Sequence, residues 1–129
     1  MNADNNGMAS LLGELRNDAV RIRTIEQDAN SALHASGDKD AYERLLREKC
    51  LAMQSLGRHI PRLVELAPET VGEWAAEELD GFGARAGQAL SVGSTFFMSA
   101  LLYPDEYQEG QDNDLERFIK ELEKKLKQQ

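Results

Sequence analysis

The chain has 129 residues, enough for one domain with its own core and too few for two of ordinary size. An apolar fraction of 41%, a charged fraction of 29% and a net charge of −8 describe a soluble acidic domain, and they oppose non-specific attachment to nucleic acid or anionic lipid. The single cysteine, Cys50, excludes an internal disulfide, and MNADNNGMASLLGEL has no signal-peptide pattern, so cytoplasm is the expected compartment.

Residues 1–7 are expected to form a disordered N-terminus. The first helix is expected from Met8 to His34, because Leu11, Leu15, Ile22, Ala29 and Leu33 share a narrow arc at 100° per residue. Gly37 closes it. The second helix follows at once, capped by Asp38 or Asp40, the latter with capping-box spacing to Glu43. Its apolar stripe is Tyr42, Leu45, Leu46, Met53 and Leu56, and Gly57 is the expected end. So short a turn predicts an antiparallel hairpin.

Residues 58–67 predict a connector with one helical turn begun by Pro61. Pro68 and the box from Thr70 to Glu73 then start a third helix. It is expected to run about 34 residues to Tyr103, with a bend near its glycines, until Pro104 blocks it. Residues 86–104 carry no charged side chain, yet Gln88, Ser91, Ser94, Thr95 and Ser99 interrupt them, which predicts a buried helix and not a membrane span. Residues 104–114 form an acidic linker. Asn113 and Glu116 cap a last helix over 115–127, with Leu115, Ile119, Leu122 and Leu126 on one face. A helix this short must dock on its own bundle or on another chain. No window alternates as a strand does. The expected fold is all-α, an antiparallel helical bundle of three long helices plus a shorter C-terminal helix, with its core in residues 8–103.

The run GFGARAGQALSVGS at 81–94 poses the main functional question. Gly81 to Ala86 matches G-x-G-x-x-G/A, but the helix-forming segment before it carries Glu73, Glu77 and Glu78 where a phosphate site needs a strand. A packing role has geometry behind it. Gly72, Ala76, Gly83, Gly87 and Ser94 form a stripe of small residues beside the apolar face of the third helix. This is a candidate helix–helix or dimer interface, with packing inside one chain preferred.

Catalytic and metal constellations are not found. Cys50, His34 and His59 lack ligand spacing, no Glu-x-x-His occurs, and Cys50 on the edge of an apolar stripe predicts an inert buried thiol. No cofactor is expected. Arg44, Arg47 and Arg58, with Leu51 exposed among them, form a candidate partner-binding face for an acidic partner or phosphate, with Glu43 and Glu48 nearby. The expected function is that of a non-enzymatic helical interaction protein: an adaptor, a regulator or a small chaperone-like module that binds a protein partner or itself. The alternative is a small-ligand protein or enzyme with a pocket between helices near Ser91, Ser94, Thr95 and Tyr103.

Overall fold

The computed structural model describes residues 3–128. Within them the fold is all-α: α1 (Ala3–His34), α2 (Lys39–Gln54), a 3₁₀ segment (Ser55–His59), α3 (Ile60–Leu66), α4 (Glu69–Val92), α5 (Thr95–Ala100) and α6 (Asp114–Lys127). The chain is helical from Ala3. Of the N-terminus expected to be disordered, residues 1 and 2 lie outside the described residues.

Helix α1 buries Leu11, Leu15, Ala19, Ile22 and Ala29. Spacings of three, four and seven keep them on one side of a 3.6-residue helix. Gly37, at φ +64°, turns the chain, and Asp38 Oδ1 accepts from the Ala41 N–H at 3.0 Å. The cap is therefore Asp38, and Asp40 lies inside the first turn of α2. At its other end α2 tightens into the 3₁₀ segment and does not stop at Gly57. Pro61 then sits in the first turn of α3, where its missing N–H has no partner to lose. Helix α4 begins at Glu69 with extended Pro68 as its N-cap, which leaves Thr70 within the helix and without a capping role.

The third helix differs most from expectation. It breaks at Gly93 and Ser94 and does not continue to Tyr103. Gly93 takes φ +74°, a left-handed conformation that glycine enters without a Cβ clash, and its N–H bonds Ala89 O. Ser94 is extended and accepts from the Phe97 N–H, the usual chemistry of a helix start. A C-terminal and an N-terminal signal thus stand side by side, and two local preferences outweigh the continuous apolar run. Among the described residues no helix is long and apolar enough to cross a membrane.

Helix α2 packs against α1 and against α4, with α5 also on α2, while α6 lies on α1 and α4. Helix α6 starts with the capping box read from the sequence: the Glu116 N–H bonds Asn113 Oδ1, and the Asn113 N–H bonds Glu116 Oε1. It buries Leu115, Phe118, Ile119 and Leu122. Phe118 stacks at 5.3 Å from Trp74 and meets Phe82 edge-on at 5.9 Å, an aromatic cluster joining α6 to α4.

Candidate functional site

Two charged residues on apolar stripes make the polar centre of the molecule. Lys49 shares the buried face of α2 with Leu46, Cys50 and Met53, and it is fully buried. Its ammonium donates to two backbone carbonyls and is paired in charge with one carboxylate. Lys49 Nζ lies 2.9 Å from Glu26 Oε2, 3.3 Å from Ser99 O and 2.9 Å from Leu101 O. The last two carbonyls end α5, so the lysine neutralises the negative end of that short helix as well as the carboxylate of α1. Burial lowers the Lys49 pKa, and the Glu26 carboxylate opposes that shift.

Tyr103 closes this centre. Its hydroxyl donates to Glu26 Oε1, and its ring lies beneath Lys49 at 5.2 Å and Arg23 at 5.7 Å. Burial, and then the bond to Glu26, push its pKa up. Arg23 holds Glu116 through Nη2 at 2.7 Å and Nε at 3.1 Å, and also bonds Gln111 O. These bonds hold the Glu116 carboxyl below the usual carboxylate range. Perturbed acids and bases in one place are what active sites use. In this centre, however, the Lys49 ammonium is held between two carbonyls and the Glu26 carboxylate, and its side chain is shut from solvent. The arrangement clamps α1, α2, the segment after α5 and the start of α6.

Beside the clamp lies a cleft of about 440 Å³. It is lined by Ala89 and Val92 of α4, Phe97 of α5, and Leu101, Leu102 and Tyr103 of the segment that follows. Leu102 has φ +77°, a conformation costly for a leucine. It is held there by Lys49 on the preceding carbonyl and by the Asp114 N–H on its own, at 2.9 Å. Arg85 and Asp114 stand on the lining, and neither joins an ion pair among the described residues. The Arg85 guanidinium leans on the Phe82 ring at 5.2 Å. Around this cleft the surface is apolar: Val92 is 60% exposed, Phe96 72% and Phe97 52%. Of the pocket residues expected from the sequence, Tyr103 reaches the cleft, while Ser91, Ser94 and Thr95 are not on its lining.

A second polar cluster joins α1 to the 3₁₀ segment. Buried His59 bonds Asp18 at 2.7 Å, and Arg58 grips the same carboxylate at 2.9 and 3.1 Å. Arg62 pairs with Glu14, whose pKa its hydrogen bond lowers. Among the described residues no three His, Cys, Asp or Glu side chains converge as a metal site.

The small-residue stripe faces other helices of the same chain. A Cβ on Gly72 would lie 3.5 Å from Val64 Cα of α3, and one on Gly83 would lie 3.6 Å from Gln54 Cα of α2. Gly87 faces the Gln54 side-chain amide, Ala76 is half-buried, and Ser94 caps α5. The arginines expected to form one face are drawn to different neighbours. Arg58 is bound to Asp18 of α1, whereas Arg47 pairs with Glu43 and extends toward Gly93. Arg44 and Leu51 are exposed on α2.

The cleft and its exposed phenylalanines have no signature in the sequence, because adjacent apolar residues can be buried together on one helix face, as Phe118 and Ile119 are. Comparison with protein-family models, with curated proteins and with solved structures finds no match for this chain.

Proposed function

We propose that this chain is a non-enzymatic interaction protein and that its binding surface is the corner where α4 meets α5. The observation that carries this reading is the exposure of Val92, Phe96 and Phe97 around an apolar cleft. Aromatic side chains left in water beside a recess are the usual anchor chemistry of protein interfaces. The clamp beneath the cleft holds it rigid, which lowers the entropy lost on binding. A net charge of −8 directs that surface to proteins and away from nucleic acid. A single buried free thiol suits the cytoplasm, where we place the protein.

The test is photo-crosslinking in cells from a benzoylphenylalanine placed at Phe96, with the same group at exposed Asp28 as control. Discrete protein adducts from position 96 and none from position 28 support the reading. No adduct at position 96 rejects it. A second reading, a small-ligand site, is favoured by the cleft volume, which lies in the range of ligand pockets. Saturable shifts of cleft resonances by an apolar small molecule, with no protein adduct, would select it.

A further inference from the structure

The α4–α5 corner is self-complementary, and we infer that a second copy of this chain occupies it across a two-fold axis. This deepens the interaction reading above and rests on it. A two-fold interface uses one patch twice, so each protruding group needs its receiving feature on that same patch. Helix α5 meets this condition. Phe96 projects into solvent with its ring 5.8 Å from that of Phe97, and Phe97 lines the cleft. The knob therefore stands one ring away from the hole. Phe96 is not among the side chains that line the cleft of its own copy.

The charges repeat the pattern. Arg85 and Asp114 stand on one lining, opposite in sign and both without an ion pair in the described chain. A two-fold axis that passes between these two side chains sets Arg85 of each copy toward Asp114 of the other, and so forms two pairs from one patch. A surface for an unrelated acidic or basic partner has no need of both signs.

The exposed parts of Val92, Phe96 and Phe97 amount to roughly 300 Å² of apolar area per copy, taking usual side-chain areas. A standard interface covers about 800 Å² per partner, so these three residues can supply no more than its apolar centre.

The experiment is sedimentation equilibrium of the full chain from about 1 to about 500 µM, with circular dichroism on every variant. The expected result is a mass rising from 14.4 kDa toward twice that value. Phe96→Ser, a change at an exposed position, should weaken the dimer at least tenfold. Arg85→Asp and Asp114→Arg should each weaken it, and the two together should restore it. If Asp114→Arg alone disturbs α6, Phe96→Ser and Arg85→Asp decide. A mass that stays at 14.4 kDa throughout overturns the inference, as does a dimer indifferent to Phe96→Ser. Monomer that co-sediments with phosphatidylglycerol vesicles also overturns it, in favour of lipid. A strict monomer whose position 96 still crosslinks to another protein ends self-association and leaves the interaction reading standing; without adducts, both fall.

Discussion

Lys49 is the buried charge that ties α1, α2 and the end of α5 together. It is buried with Glu26, and removing one partner of a buried pair costs more than removing both, because the survivor is left charged without a counter-ion. Lys49→Met should therefore lower stability by about 3 to 5 kcal/mol, and adding Glu26→Gln should recover much of that loss. Urea midpoints for the two single variants and the double variant check it; additive losses would contradict the pairing. The Arg23–Glu116 pair sets a pH dependence. Its folded carboxyl titrates below the usual 4.5, so the unfolded chain takes up protons first as pH falls. The pair's contribution is complete above that usual value and is lost as pH drops through the folded one. The fall in urea midpoint between pH 7 and about pH 3.5 should be smaller in Glu116→Gln than in the parent protein.

Among the elements, α4 carries the small-residue stripe, and its spacing to α2 makes a prediction of opposite signs for two substitutions. A Cβ on Gly83 would meet Gln54 Cα at 3.6 Å, an ordinary contact, so alanine fits. Gly83→Ala should raise stability by roughly 0.5 to 1 kcal/mol through helix propensity. Gly83→Leu drives further atoms into the α2 backbone and should lower it by about 1 to 3 kcal/mol. Helix α6 depends on its docking. Phe118→Ala removes the ring between Trp74 and Phe82 and should cost about 3 to 5 kcal/mol. Fluorescence of Trp74, the one tryptophan, should shift to longer wavelength at the same time. An unchanged spectrum would mean that α6 leaves the cluster without consequence.

At the scale of the whole molecule, Cys50 reports how the bundle opens. Its thiol is fully buried and its pKa is pushed up by burial, so a disulfide reagent reaches it through an opening of the structure. Labelling in the native state should be slow and should speed up in Lys49→Met by about tenfold for each 1.4 kcal/mol of stability lost. A labelling rate that ignores Lys49→Met would show that α2 opens locally, without the clamp.

Helix content, the cap of α6, the turn at Gly37 and the apolar face of α1 follow from the sequence itself. Each rests on interactions between residues one to four apart, and the chain carries those wherever it folds. The break at Gly93 and Ser94 was written there too, as adjacent stop and start signals, but a long uncharged run concealed it. Lys49 and Glu26 could be placed on apolar stripes by spacing, though nothing local says that they meet. Which helix covers the glycine stripe, which acid engages Arg58, and why Phe96 and Phe97 remain in water were decided by the tertiary structure. These are contacts between different helices, such as Gly83 with Gln54 and Arg58 with Asp18, or the lack of them. A helix face is buried or bare according to what the rest of the chain lays over it.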